Sequence, residues 1–263
     1  MTTDQEIDQA SAVARFELAE LEDLRQRFTQ TMLAYKFAVD EVLTKVEILR
    51  QEYLHLHRDN PIEHVSSRLK SPESIVAKAR RKGLPLDLEV IRRTVLDIAG
   101  VRITCSFPKD VYTIRDVLLA QSDVTLITER DYIASPKPNG YRSLHLIVQV
   151  PVFLSRGPQD VTVEVQIRTI AQDFWASTEH KIYYKYDHEI PEHLRLELAR
   201  AAETARELDA RMEALHQQVR DLDGPLPTAD AARGGGLVPT RAVLESFLGG
   251  RPPVDDEGGP TRD

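Results

Sequence analysis

Residues 160–169, DVTVEVQIRT, alternate without a break: Val161, Val163, Val165 and Ile167 fall on one face of an extended segment, and Thr162, Glu164, Gln166 and Arg168 on the other. A period of two with β-branched residues on one side predicts a strand whose apolar face meets a core. Apolar neighbours on both sides of Glu164 put its carboxylate in mid-sheet, where an acid is costly unless it is paired or bound to metal. A solvated sheet face explains this strand taken alone. The run before it, YRSLHLIVQV (141–150), weakens that explanation, because Tyr141, Ser143, His145, Ile147 and Gln149 share one face. If the two strands pair, Tyr141 and His145 line the same surface as Glu164.

The loop entering that strand, KPNGYRSLH (137–145), holds more than a turn needs. Pro138-Asn139-Gly140 suffices to reverse the chain, since Asn and Gly tolerate positive φ. Lys137, Tyr141 and His145 are left over and make a ligand-binding rim.

Working outward, EHVSSRLK (63–70) alternates, with His64, Ser66, Arg68 and Lys70 on one face, and GVRITCSF (100–107) and VTLITERDYI (124–133) read as two more strands. Ser71 caps a helix with Pro72 at its first position that ends near Gly83. Further helices are predicted around Val111–Leu119 and Ile170–Tyr184. The class is α/β (α+β): a mixed sheet of about five strands flanked by helices. Two long helices bracket this core. Leu21, Leu24, Phe28, Met32, Tyr35, Val39, Val42, Val46, Leu49 and Tyr53 make one stripe, and Leu194, Leu198, Ala201, Ala205, Leu208, Met212, Leu215, Val219 and Leu222 another. Such stripes serve equally as a core face or as a seam between subunits. The expected organisation is a helical region at 1–60, a catalytic core at 61–190, a C-terminal helix at 191–222 and a mostly disordered tail at 223–263. The tail from Asp221 onward holds eight acids, four bases and eight of the twelve glycines, with TRAVLESFL (240–248) as a short helix inside it.

The chain has 263 residues, no apolar run long enough to span a membrane and an acidic, polar N-terminus, so a cytoplasmic protein is expected. A single cysteine, Cys105, excludes an internal disulfide and reads as a small buried residue on a strand. The net charge of −8 does not indicate nucleic-acid binding by the surface as a whole. The chemistry-bearing residues are local. Asp97 opens DIAGVRI (97–103), giving a second acid beside Gly100 and Arg102. Ser74, Lys78 and Arg81 recur at helical spacing on the capped helix, Arg68 and Lys70 share a strand face, and Arg130 adds another guanidinium. Two carboxylates ringed by cations suit Mg²⁺ and a polyphosphate, because Mg²⁺ takes one or two carboxylates and completes its shell from phosphate and water. Zinc is disfavoured: His55 and His57, and His180 and His188, lack ligand spacing.

RLKSPESI, DIAGVRI, ERDYIASPKPNGYRSLH and EVQIRTIAQDFWASTEHKIYYKY, in this order, resemble the synthetase domain of the RelA/SpoT family, and over about residues 20–220 the chain resembles its stand-alone small alarmone synthetases. The resemblance implies transfer of the pyrophosphate of ATP to the 3′-OH of GDP or GTP, with GMP left open as acceptor, and release of AMP. It implies no hydrolase activity, and a homo-oligomer with a tetramer favoured. Asp97 and Glu164 would hold Mg²⁺, Glu164 also serving as base. Arg68 and Arg102 would sandwich adenine, and Lys70, Ser74, Lys78, Arg81 and Arg130 would hold the ATP phosphates. Tyr141 would stack on guanine, with Lys137 and His145 toward the acceptor phosphates and Gln166 nearby. Asp173 stands where many relatives carry Asn facing guanine, and a carboxylate accepts from both guanine N1–H and the 2-amino group. His64-Val65-Ser66-Ser67 departs from the aromatic-Val-Thr-Gly of product-activated members. Two other functions fit parts of the pattern: pyrophosphorylation of the tRNA 3′ end, which the acidic charge opposes, and a non-catalytic nucleotide- or RNA-binding scaffold, which intact Asp97 and Glu164 oppose.

Overall fold

The computed structural model describes residues 2–57, 59–184 and 191–222, the backbone alone at 2–17, 183 and 184, and in the tail Pro239, Leu244 and Phe247. The expected disorder of the tail and its helix at 240–248 lie outside the described residues, apart from Leu244 and Phe247, which are helical and exposed. The chain divides into two compact units, Met1–Gln218 and Val219–Asp263.

Five strands, β1 (Ile62–Leu69), β2 (Ala99–Cys105), β3 (Thr125–Asp131), β4 (Leu144–Leu154) and β5 (Gly157–Thr169), form one sheet in the order β1-β2-β5-β4-β3. Only β2 and β5 run parallel; the other neighbours are antiparallel. The sheet is thus mixed, as the pattern predicts. The alternation decides its two faces. Leu144, Leu146, Val148 and Val150 on β4 and Val161, Val163, Val165 and Ile167 on β5 are buried in the main core, together with Val101, Ile103 and Cys105 on β2. His145, Ile147, Thr162, Glu164, Gln166 and Arg102 lie on the opposite, half-buried face. Burial also raises the Cys105 thiol pKa, consistent with a packing role.

Helix α1 (Thr2–Leu56) covers the core face, and Tyr35, Ala38, Val39, Val42, Val46 and Leu49 recur at spacings of three and four because each must meet the sheet. This part of the stripe is a core face and not a seam. At 1.5 Å per residue a helix of 55 residues runs to about 80 Å, far beyond strands of 7 to 13 residues, so Leu21 and Leu24 project past the sheet and stay exposed. Helix α2 (Pro72–Arg81) starts at Ser71, whose hydroxyl accepts from the Ser74 backbone N–H. A short α3 (Leu88–Thr94), capped by Asp87, was not expected; with seven residues it is shorter than the window in which a period of 3.6 shows. Helices α4 (Pro108–Leu119) and α5 (Ile170–Tyr184) follow the expected positions.

Two local expectations change. β4 begins at Leu144, so Tyr141–Ser143 belong to the loop, where Gly140 N–H donates to Lys137 O at 2.8 Å and Gly140 adopts φ +89°. The strand-like spacing of Tyr141 and His145 still brings them together, by a route the alternation did not anticipate. On α6 (Glu192–Leu222), Ala202 and Asp209 are the buried residues, and Leu208, Met212 and Leu215 are each about half exposed. The stripe therefore divides: Leu198 and Ala205 pack beside Ala202 against Trp175, while its part from Leu208 onward does not face the core. No helix among the described residues is long and apolar enough to cross a membrane.

These placements separate two substitutions that look alike in sequence. Val42→Glu puts an unpaired charge into the core, a loss of at least about 3–5 kcal/mol, and is expected to abolish cooperative unfolding. Leu208→Glu changes an exposed position and is expected to keep the helical circular dichroism of the wild type. A folded Val42→Glu protein would place α1 off the sheet.

Candidate active site

Asp97 and Glu164 reach one cavity of about 180 Å³ from different elements. Glu164 stands in the middle of β5, opposite Gly100 on β2 and Ile147 on β4. Asp97 lies just before β2, where Lys70 N–H donates to the neighbouring Ile98 O at 2.8 Å and ties the ends of β1 and β2 together. Asp97 Oδ2 takes Lys78 Nζ at 2.5 Å and Lys70 Nζ at 3.4 Å. Its Oδ1 is buried and has no hydrogen-bond partner. Burial drives the Asp97 pKa up, but the two ammonium groups outweigh it and the net direction is down. Glu164 behaves alike: burial raises it, while His145 and the Gln166 amide bring it below the ordinary carboxylate range.

The donors around Asp97 and Glu164 test whether a cation fits. A buried carboxylate oxygen without a partner is an unmet acceptor, and a two-acid site open to further oxygens is what Mg²⁺ takes. Among the described residues no group of three or more His, Cys, Asp or Glu could hold a metal ion, so a cation here would take at most two protein carboxylates and draw its other oxygens from phosphate and water. The residues fit Mg²⁺.

Beside this cavity lies a second, of about 120 Å³, lined by Ser66, Arg68, Gly100, Arg102 and Gln166 among others. A Cβ at Gly100 would meet Arg68 Cγ at 3.5 Å, an ordinary contact, so the chain itself does not demand glycine there. The expected loop residues gather on the other side. Tyr141 Oη lies 2.8 Å from His145 Nε2, and His145 Nδ1 lies 3.2 Å from Glu164 Oε1. Lys137 Nζ sits 4.6 Å from the ring centres of both Tyr132 and Tyr141. Asp131 fixes the start of this loop: its Oδ1 accepts from Ile133 and Ala134 N–H, and its Oδ2 from Tyr112 Oη.

Not every expected residue arrives. Ser74 is turned into its own helix cap, taking a hydrogen bond from Ser71 Oγ, and Arg81 is exposed and lines neither cavity. Lys82, one residue on, lines the larger cavity with Lys78 and Arg130. A period of 3.6 selects 78 and 81 from a basic run, but Lys82 is the helix's C-cap, where that periodicity ends. Tyr132, Thr128 and Arg168 were also missed. Tyr132 follows the end of β3 and enters only through the fold of the loop.

The region found in RelA/SpoT proteins matches residues 67–189. The GTP pyrophosphokinase YwaC of Bacillus subtilis is 48% identical over 200 residues, 76% of this chain and 95% of that protein. The chain belongs to the RelA/SpoT family. The GTP pyrophosphokinase YjbM of the same organism is 41% identical over 197 residues, 74% of this chain and 92% of that one. Small alarmone synthetase 1 from B. subtilis, solved bound to its product pppGpp, superposes with a TM-score of 0.68 at 42% identity, covering 73% of this chain and 98% of that structure. Small alarmone synthetase 2 gives 0.66 at 49% identity and covers the same shares. The mixed five-stranded sheet with long terminal helices is the fold of these synthetases.

Helix α6 braces the family core on the side of the loop. Trp175 Nε1 donates to Leu198 O at 2.9 Å, and a Cβ on Gly140 would come within 2.5 Å of Ala202 Cβ, so turn and helix touch with no side chain between them. Asp209 is buried and accepts from Thr169 Oγ1 at 2.7 Å and Gln172 Nε2 at 3.4 Å, closing the capping box at the start of α5. Burial raises the Asp209 carboxyl, and the two hydrogen bonds recover only part of that shift. A folded pKa above the unfolded one means stability that is complete below the unfolded pKa and lost as pH rises through the folded one. Asp209→Asn keeps the acceptor oxygen without the charge. Its melting temperature is expected to gain on the wild type as pH rises through the carboxylate range; a constant difference between the two proteins would refute the assignment.

Proposed function

We infer that the chain is a (p)ppGpp synthetase that moves the pyrophosphate of ATP to the 3′-OH of GDP or GTP and releases AMP. The observation that carries this is the near-complete coverage, at 42% identity, of a synthetase structure that holds pppGpp. The cavity geometry supports it independently. Phosphoryl-type transfer asks for positioning and charge neutralisation more than for covalent chemistry by the protein.

Each residue has a part in this reading. Arg68 and Arg102 flank the smaller cavity and take the adenine between their guanidinium planes. Lys78, Lys82 and Arg130 face the larger one and meet the ATP phosphates. Lys70 and Lys78 already neutralise Asp97, so an arriving polyphosphate competes with Asp97 for these ammonium groups. Asp97 and Glu164 would hold Mg²⁺, which when bound neutralises the transferring phosphates and lowers the barrier to attack. Glu164 accepts the proton of the acceptor hydroxyl, and His145 steadies that carboxylate from the side. Tyr141 stacks on guanine, while Lys137, poised on the same ring, moves to the acceptor phosphates.

A homo-oligomer, with a tetramer favoured, and a cytoplasmic address belong to the same proposal. The half-exposed Leu208, Met212 and Leu215 on α6 support a seam between copies. Leu208→Glu is expected to lower the mass measured by light scattering; an unchanged mass would take α6 out of the seam.

Purified protein given ATP, Mg²⁺ and GDP or GTP should form a 3′-pyrophosphorylated guanosine nucleotide and AMP; pyrophosphate found only on tRNA would overturn the reading. Glu164→Gln and Asp97→Asn remove charge with little volume, and each is expected to lower kcat by about 10³-fold or more with the fold intact. Wild-type turnover in either at saturating Mg²⁺ would remove the two-acid site. Tyr141→Ala should raise the KM for GDP and GTP by roughly tenfold or more, the size of one base-stacking contact, and leave the KM for ATP near its wild-type value. Equal losses on both substrates would move Tyr141 off the acceptor side.

A further inference from the structure

Arg168 is the largest fully buried side chain among the described residues, 2% exposed, and lies at the C-terminal end of β5. A buried guanidinium needs a counter-charge, because desolvation of an unpaired cation exceeds what packing returns. Asp173, in the first turn of α5, supplies it. Arg168 Nε donates to Asp173 Oδ1 at 2.8 Å, and Nη2 approaches the same oxygen at 2.5 Å. Arg102 Nη1 stands 3.8 Å from that oxygen too. All three guanidinium contacts therefore fall on Oδ1. The capping box of Thr169 and Gln172 fixes the four residues between the partners, so neither end of the pair can drift.

We propose that Arg168 is a positioning residue for guanine recognition: by holding Oδ1 and balancing the charge of Asp173, it presents Oδ2 to the N1–H and 2-amino donors of the acceptor base. The inference rests on the reading above that this side of the site takes a guanosine nucleotide. Its physical content is separate. Without a counter-charge, a carboxylate at Asp173 would be repelled by an arriving polyphosphate and free to rotate. A two-nitrogen grip on one oxygen removes both freedoms, because the guanidinium is planar and its donors are fixed relative to one another. One oxygen with a set orientation then discriminates: guanine presents donors to it, whereas adenine presents its N1 acceptor.

The pair should be tested from the arginine side. Asp173→Ala would leave a buried cation without a partner, while Arg168→Met leaves a carboxylate that is 32% exposed and can be hydrated. The readout is kcat/KM for GDP against IDP, which lacks the 2-amino group, with the KM for ATP followed in parallel. Arg168→Met is expected to reduce the GDP-to-IDP ratio by about tenfold or more, the worth of a charge-assisted hydrogen bond, with the KM for ATP within about twofold of wild type. Adding Asp173→Asn removes the charge to be balanced but not the need for orientation, and is expected to leave the ratio reduced. If Arg168→Met does not fold, Arg168→Lys, which keeps the charge and loses the two-nitrogen grip, should reduce the same ratio. An unchanged ratio in the folded variant, or a double variant restored to the wild-type ratio, would take the orienting role from Arg168. Wild-type protein that cannot use GDP at all would instead sink the synthetase reading.

Discussion

Everything in the site depends on holding acidic side chains half-buried on the polar face of one sheet without leaving them unpaired. Glu164 in mid-strand and Asp97 at a strand entrance would repel each other, and would repel any nucleotide polyphosphate, were they alone. The fold answers with cations from other elements: Lys70 from the end of β1 and Lys78 from α2 on Asp97, His145 from β4 on Glu164. The same ammonium groups that neutralise Asp97 are those a polyphosphate needs. Binding can then exchange one anionic partner for another, and in the proposed function the carboxylates released would hold Mg²⁺. The cost of desolvating the charges is met during folding and not again at the moment of reaction.

The two sides of the site are built to different tolerances. In the proposed function the donor side rests on β1 and β2, where Arg68 is 58% exposed at its side chain and held only by a 3.9 Å approach to Glu164. The acceptor side is locked. Asp131 pins one end of the loop, Gly140 touches Ala202, Trp175 is bonded to the backbone of α6, and Asp209 closes the capping box of α5. A stiff acceptor side places a hydroxyl within reach of its base, and orientation of that kind is a large share of what transfer between two bound substrates requires. It also makes α6 part of the catalytic unit despite its distance in sequence. A helix that braces the acceptor loop on one face and leaves Leu208, Met212 and Leu215 uncovered on another joins the site to whatever meets those residues.

How much of this could be read from sequence follows from the range of the interactions. The strands and α2 were legible, because alternation and the Ser71-Pro72 start are local signals. The pairing of β4 with β5, and so the approach of His145 to Glu164, followed from two alternating runs with one polar face each. Lys82 for Arg81, the late start of β4 and the short α3 were not legible, since each turns on a helix end or loop whose geometry is settled by contacts far along the chain. The stripes of α1 and α6 look the same on paper. Only packing shows that Val42 is sealed and Leu208 is not. Arg168 shared the polar face of β5 in the pattern, and its burial came from α5 folding over the end of the strand.

The net charge of −8 runs counter to the binding of two polyphosphates. The contradiction is removed by where the acids lie. Eight of them are in the tail from Asp221 onward, and several more are tied up in pairs within one turn of α1 and α6, such as Asp23 with Arg27 and Glu203 with Arg206. Those exposed pairs contribute little to stability and their field is screened within about a Debye length, roughly 8 Å in physiological salt. Inside the cavities the balance is reversed: Lys78, Lys82 and Arg130 face Asp97 and Glu164 in one, and Arg68 and Arg102 line the other. A low-dielectric wall concentrates that local excess of cations. A mononucleotide small enough to enter therefore meets a field opposite to the net charge of the chain. Selection by size and by local charge thus comes before any base is read.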